Sequence, residues 1–321
     1  MALDCDVTPM DNSETRKEGV SYTYKGHDGY TCMAAYLARE GWCMELELRP
    51  GSQHAQKGFV PFLHRVVFRA RRLVESDTRL LVRLDSAHDA AETLTELATF
   101  DNTDWLVKWN PRKQDLPAWW QRGLEHGAVH EDPKRPGKRT AMLEETLTVS
   151  HEGRSVQARR IVRVVERTID RKGQPLLLPE YALEGWWTNL DFAAGEIIRL
   201  YNDHGTSEQF HSELKTDLDI ERLPSGKFAT NALVLALAGL AYNILRLIGQ
   251  IGLLGEFSPV RHPAKRRRLK TVMQEVMYVA ARLIHSGRRV RLRFATQCPG
   301  FEAFRVVYQH LWAAAEATAP A

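Results

Sequence analysis

Glu208 and Lys215 stand within Tyr201-Asn202-Asp203-His204-Gly205-Thr206-Ser207-Glu208-Gln209-Phe210-His211-Ser212-Glu213-Leu214-Lys215, and two aspartates, Asp6 and Asp85, each end an apolar run far upstream. One carboxylate from each of three distant segments is the donor set with which a pair of divalent cations cuts a phosphodiester. Thr206-x-x-Gln209 has the pattern of a capping box, which predicts a helix from Thr206 to about Leu218. Phe210, Leu214 and Leu218 then form its buried stripe at i, i+4, i+8. Glu208, His211 and Lys215 share a neighbouring face, with Glu208 and Lys215 roughly 10 Å apart along the axis. In the first turn, the backbone N–H groups and the helix dipole favour an ionised Glu208. The plain alternative is a solvated helix face carrying one acid and one base.

The two aspartates read as strand residues. Leu3-Asp4-Cys5-Asp6-Val7-Thr8 alternates with period two, placing Asp4 and Asp6 on one side and Leu3, Cys5 and Val7 on the other. Asp4 is therefore the second candidate for the role of Asp6. Asp85 follows the apolar run 79–84 and precedes a helical pattern over 87–97. An acid where a strand gives way to a helix, at the carboxyl end of a sheet, lies where open α/β folds bind ligands. A helix cap is the competing reading.

Taken together, these residues resemble the DDE transposases of bacterial insertion sequences, in the branch marked by Tyr-x2-Arg-x3-Glu-x6-Lys. That signature falls on Tyr201, His204, Glu208 and Lys215. The resemblance also covers Asp6 in Asp-Val-Thr, Asp85 in Arg-Leu-Asp-Ser, and Thr188-Asn189-Leu190. It implies a metal-dependent DNA strand-cleaving and strand-transferring enzyme, with Asp6, Asp85 and Glu208 as catalytic ligands of two Mg²⁺ (or Mn²⁺) ions. Tyr201, His204 and Lys215 would contact DNA, at the element ends and in the target, and two copies would pair as a homodimer on DNA. One position departs: His204 stands where the branch has arginine, and imidazole has no bidentate fork. Members of the branch also carry a helical, end-binding segment ahead of the first aspartate, whereas five residues precede Asp6 here. A catalytically silent DNA-binding remnant and a ribonuclease-H-like nuclease without strand joining are the alternative expectations.

The elements needed to position such residues can be read in outline. Runs 30–37 and 42–48 around Gly41 predict a hairpin. Residues 55–74 predict an amphipathic helix with Phe59, Phe62, Leu63, Val66 and Val67 inward, and 104–109 a further strand. Three strands, helix, strand, helix, strand is the order of a ribonuclease-H-like α/β core, in which the first and fourth strands are neighbours. Between 110 and 185, Pro-, Gly- and charge-rich turns separate β-prone runs at 142–149, 156–163 and 164–170. The expected organisation is core over 1–109, a β-rich insertion over 110–187, core with the Glu208 helix over 188–252, and a basic C-terminal region over 253–321. Residues 231–247 predict an apolar core helix. Its uninterrupted part, 232–242, is too short for a membrane span, so no membrane association is expected.

Composition sets the remaining bounds. A chain of 321 residues with 44% hydrophobic content can bury a sizeable core. The formal net charge is only +4, but residues 261–293 hold eleven Lys or Arg, including Arg266, Arg267 and Arg268, against the single acid Glu275. Such clustering is an electrostatic footprint for a phosphate backbone, with a solvated basic face as the alternative. Cys5, Cys32, Cys43 and Cys298 lack the spacing of a disulfide framework or a zinc site. The N-terminal residues form no apolar signal segment. A reducing, DNA-containing compartment is expected, the cytoplasm at the nucleoid. The pairs Trp119-Trp120 and Trp186-Trp187 read first as packing, and second as platforms for an extruded base. No glycine-rich phosphate loop is present, which argues against an ATP-driven enzyme.

Overall fold

The computed structural model describes residues 1–170, 172–253, 268–298 and 300–318, with the side chains of Thr206 and of 316–318 left aside. In chain order the elements are β1 (Ala2–Asp11), β2 (Ser21–Tyr22), β3 (Asp28–Leu37), β4 (Trp42–Pro50), α1 (Phe59–Arg71), β5 (Leu80–Leu84), α2 (Ala91–Leu97) and β6 (Thr103–Trp109). There follow α3 (Leu116–His126), β7 (Ala128–Glu131), β8 (Lys138–His151), β9 (Arg154–Ile169), β10 (Pro175–Thr188), α4 (Ala194–Asn202), α5 (Thr206–Ser212) and α6 (Phe228–Gly252). The last elements are α7 (Leu269–Val272), β11 (Ala281–Ser286), β12 (Arg289–Phe294) and α8 (Phe301–Thr318). The chain divides into two units, one of Met1–Val7, Ala35–Ala38 and Gln53–Ser207, the other of Thr8–Ala34, Arg39–Ser52 and Glu208–Ala321.

The first unit is built on a mixed sheet ordered β1-β5-β6-β10-β9-β8-β7. Its first three strands are parallel, with Cys5 opposite Leu84 and Leu84 opposite Val107. The neighbouring of the first strand and the Asp85 strand is thus as expected. Helix α1 buries Phe59, Phe62, Leu63, Val66 and Val67, the five residues that periodicity selects. Residues 156–170, read as two short runs, form most of the single strand β9. A two-residue turn at Glu152 and Gly153, both at positive φ, folds β9 back on the whole of β8, from His151 opposite Arg154 to Lys138 opposite Arg167. Strand β10 then pairs antiparallel with β6, so the strands of 110–187 extend the same sheet. Thr188 and Asn189 fasten this join. The Thr188 hydroxyl donates to the Trp105 carbonyl at 2.8 Å, and the Asn189 carboxamide accepts from the Trp105 N–H at 2.8 Å. Leu106, Ile161, Trp186, Leu190, Ile197 and Ile198 form a core beneath it.

In the second unit β3 lies between β2 and β1, and β4 pairs with β3. Helix α6 packs on β4 and is locked there by Asn243, whose carboxamide accepts from the Cys43 N–H at 2.9 Å and donates to its carbonyl at 2.8 Å. The core-helix expectation for this segment holds on one side only. Leu235, Ala238, Tyr242 and Leu245 are buried, while Leu233, Leu237, Leu240, Ile244 and Leu247 are exposed. The helix runs 25 residues, longer than the uninterrupted apolar stretch and, by length and composition, enough to cross a bilayer. It continues through Asn243 and Arg246 because both polar side chains are satisfied sideways, by β4 and by Glu213.

Candidate active site

In the first unit Cys5 pairs with Leu84 on adjoining parallel strands, and Asp6 and Asp85 are the residues that follow them, Asp85 just past the end of β5. Strand spacing of about 4.8 Å sets the distance scale between the two backbones. One Asp6 oxygen accepts from the Val7 N–H at 2.7 Å. Asp85 caps a short 3-10 turn, Ser86–His88, its Oδ1 accepting from the Ala87 N–H at 3.1 Å. Cap and ligand are thus compatible roles, since among the described residues Oδ2 has no hydrogen-bond partner. Burial and the neighbouring Asp6 charge raise the Asp85 pKa from 3.8 to about 6, against the opposing Ala87 hydrogen bond and His204. Two carboxylates held side by side in this way favour a proton or a cation between them.

Asp4, the second candidate for Asp6, has another task. It is 1% exposed, and its two oxygens accept from Arg83 Nε at 2.6 Å and Nη2 at 2.8 Å. The Arg83 guanidinium also donates to the Leu200 carbonyl at 2.7 Å, tying β5 to α4. His204 is buried with Nδ1 3.1 Å from Asp4 Oδ1, at an angle outside a well-formed hydrogen bond. Burial opposes charge on this ring, but Asp4 and Asp6 outweigh burial and Arg83, and the pKa lies above that of ordinary histidine. The shift favours the protonated ring beside Asp4. Tyr201 packs beside it, ring centroids 5.8 Å apart, and 6.2 Å from Trp186. Burial and the charges of Asp85 and Asp6 push the Tyr201 hydroxyl pKa up, so it remains a hydrogen-bond donor. Lys108 lies 4.1 Å over Trp186 and 5.4 Å over Tyr201, and donates to Glu184 at 2.9 Å.

Trp187 and Trp120 are packed. The Trp187 indole donates to Asp89 at 2.9 Å, and the Arg160 guanidinium sits 4.6 Å from the Trp109 ring and 4.8 Å from that of Trp187. Trp120 is buried beneath Arg139 at 5.2 Å.

In the second unit Glu208 is exposed, in the first turn of α5. The proposed Thr206 cap lies outside the described side chains. Helix α5 passes after Ser212 into a π turn, Glu213–Asp217, where an uninterrupted α-helix was expected. Two ion pairs fix that turn. Glu213 and Arg246, both 0% exposed, pair directly, and the Tyr242 hydroxyl accepts from the same guanidinium at 2.5 Å. Arg268 reaches Asp217 at 3.0 Å and the Ser212 hydroxyl at 2.9 Å. Arg268 thus serves as a brace, while Arg266 and Arg267 lie outside the described residues. Lys215 is likewise tied down, donating to the Pro9 carbonyl at 2.8 Å, with Glu221 at 3.7 Å.

Phe210 anchors α5 within this unit. It is fully buried, and a Cβ on Gly41 would stand 2.1 Å from its ring. Gly41 also adopts φ +73, a conformation that favours glycine. Gly41→Ala is expected to destabilise the chain by about 3 kcal/mol, combining overpacking with backbone strain. Chemical denaturation checks this, and an unchanged midpoint would show that Phe210 repacks freely.

Sequence reasoning missed the Asp4–Arg83 brace and the Lys108–Glu184 pair. One signal was available: an arginine inside the apolar run 79–84 needs a buried carboxylate partner. Among the described residues no group of three or more His, Cys, Asp or Glu is arranged to hold a metal ion; the carboxylates of Asp6 and Asp85 form a pair.

A family profile described as "Transposase DDE domain group 1" matches residues 1–316. No curated protein sequence matches the chain. Among solved structures, the chain is similar to the piggyBac transposase in its synaptic complex with hairpin DNA, at 9% identity and a TM-score of 0.44, over 85% of this chain and 50% of that one. The chain therefore spans half the length of that protein.

Proposed function

Since the chain belongs to the transposase DDE domain group 1 family, we propose that it is the transposase of a bacterial insertion sequence, cleaving DNA strands and transferring them to a target. The observation that carries this reading is the Asp6–Asp85 pair, Asp6 in β1 and Asp85 just past the adjoining parallel β5, with the Asp85 pKa raised to about 6 by burial and by Asp6. Two oxygen-rich carboxylates whose repulsion a hard divalent cation relieves fit Mg²⁺ or Mn²⁺. Asp6, Asp85 and Glu208 would hold two such ions on a ribonuclease-H-like core. When bound, these supply positive charge to the phosphate under attack and acidify the attacking water.

The protein residues have separate tasks in this scheme. Asp85, protonated more readily than an ordinary carboxyl, would have to be ionised to serve as a ligand. The Tyr201 hydroxyl, held protonated, donates to a phosphate oxygen, and Lys215 sets the strand beside it. His204 and Arg83 hold Asp4, which keeps the neighbouring strand ends in register. In the first step water oxygen bonds to phosphorus and the P–O3′ bond breaks, leaving a 3′-hydroxyl and a 5′-phosphate. In the second, that 3′-oxygen attacks a target phosphorus, loses its proton, and releases a target 3′-hydroxyl. DNA ends and target DNA are the partners, two copies pair on them, and the nucleoid of the cytoplasm is the place of action.

The test is incubation with Mg²⁺ and DNA carrying the sequences that flank the coding region, assayed for nicking and joining. Both activities, lost with EDTA, are expected. Nicking without joining would reduce the protein to a nuclease, and binding without nicking to a silent remnant.

A further inference from the structure

Strands β11 and β12 form a separate two-stranded ribbon, closed by Gly287 and Arg288, both at positive φ. Its register pairs Arg282 with Arg293, Ile284 with Arg291 and Ser286 with Arg289. Residues directly opposite share a face, so four arginines line one side of the ribbon. The other side carries Leu283, Val290, Leu292 and Phe294. Phe294 anchors it on α8 through the rings of Phe301 and Phe304, 5.3 and 4.9 Å away. Segment 281–294 contains five arginines, counting Arg288, and no acid.

The contrast with the main sheet is informative. There Arg139 meets Glu166, Arg154 meets Glu96, Arg159 meets Glu144, Arg160 meets Glu145 and Arg163 meets Glu184. Among the described residues none of the five ribbon guanidiniums has an ion-pair or hydrogen-bond partner, and all are exposed. Arg282 directly opposite Arg293 is a like-charge pair, which weakens an isolated ribbon. A fold that pairs these five sheet arginines with carboxylates but, among the described residues, leaves the ribbon arginines unpaired presents them to an external polyanion.

We infer that the β11–β12 ribbon is a duplex-DNA-binding element whose arginine face enters the major groove and grips the flanking phosphates. The inference rests on the strand-transfer reading, which makes DNA the polyanion. Geometry fits: six-residue strands span about 20 Å, alternate side chains lie roughly 6.7 Å apart, and the major groove, about 12 Å wide, admits a two-stranded ribbon.

The test uses the full chain without metal, so that binding is measured apart from cleavage. Fluorescence anisotropy with a labelled duplex is followed between about 50 and 200 mM salt. Replacing Arg282, Arg289, Arg291 and Arg293 together by Ser is expected to lower the slope of log affinity against log salt by roughly 3 to 4, about 0.9 per lost phosphate contact. The corresponding Arg→Lys set should keep most of the slope. Dimethyl sulfate should find guanine N7 protected by the wild type and exposed with the Ser set, because N7 lies in the major groove. An unchanged slope in the Ser set, or wild-type binding to anionic vesicles but not to duplex, overturns the inference. If the ribbon behaves as expected and the chain never cuts DNA, the strand-transfer reading fails alone. If the chain cuts and joins DNA while the Ser set binds normally, the ribbon inference fails alone.

Discussion

Asp85→Asn is expected to reduce metal-dependent strand cleavage by about 10³-fold or more, the scale on which a group stabilising transition-state charge is lost, while making the metal-free protein more stable at neutral pH. The second half follows from the sign of the pKa shift. The folded chain holds the Asp85 proton up to about pH 6, whereas the ordinary carboxyl releases it near 3.8. The folded state thus binds the proton more tightly than the unfolded state, and stability is lost as pH rises through that window. Above it, the charged carboxylate beside Asp6 is a burden that asparagine lacks, and asparagine caps a helical turn as well as aspartate does. The side chain is 39% exposed, so screening limits the gain to about 1 kcal/mol, or roughly 2–4 °C in Tm. Thermal unfolding at pH 7.5 without metal should rank the variant above the wild type, and the gap should close by about pH 4. Added Mg²⁺ should reverse the order by stabilising only the wild type. A variant less stable than the wild type in EDTA would mean that Asp85 is chiefly a structural cap.

Arg246→Met is expected to have the largest effect on folding. Arg246 and Glu213 are both fully buried, so removing the cation strands a carboxylate in a low-dielectric interior. Breaking such a pair typically costs about 3–5 kcal/mol, a large part of the roughly 5–15 kcal/mol that holds a domain folded. The Tyr242 hydroxyl loses its donor in the same step. Pairing Arg246→Met with Glu213→Leu should recover much of the loss, because two apolar groups leave no buried charge. Urea denaturation of the two single variants and the double variant measures the coupling. Equal destabilisation in the double variant would show that the π turn depends on the shape of these side chains and not on their charges. Because Glu213 lies five residues after Glu208 on the same helical segment, the pair also bears on how firmly that acid is presented.

These two sites mark what was legible in the sequence. Asp6 and Asp85 could be found because each ends an apolar run and the strand order makes those runs neighbours. Helix α1 was legible because its buried residues keep the 3.6 period. The π turn was not, because Phe210, Leu214 and Leu218 fit an α-helix equally well, and only Arg246 and Arg268, from distant segments, decide otherwise. Nor was the role of Asp4. Alternation places it on the Asp6 side of the strand, but its partner Arg83 lies far along the chain. The half-buried state of α6 was hidden because leucines alternate around its whole circumference, giving no polar face to read. The ribbon arginines were visible as charge, whereas their common face became clear only with the β11–β12 register.

Under the proposed function Asp6, Asp85 and Glu208 serve one metal site. Iron-directed protein cleavage tests it without requiring catalysis. Fe²⁺ is exchanged for Mg²⁺ on the DNA-bound chain, ascorbate and peroxide are added, and the backbone cuts are mapped by mass spectrometry. Cuts clustered near all three acids, suppressed by excess Mg²⁺ and lost together in Asp85→Asn, are expected. Cuts beside Asp6 and Asp85 with none near Glu208, or none at any of the three, would contradict it.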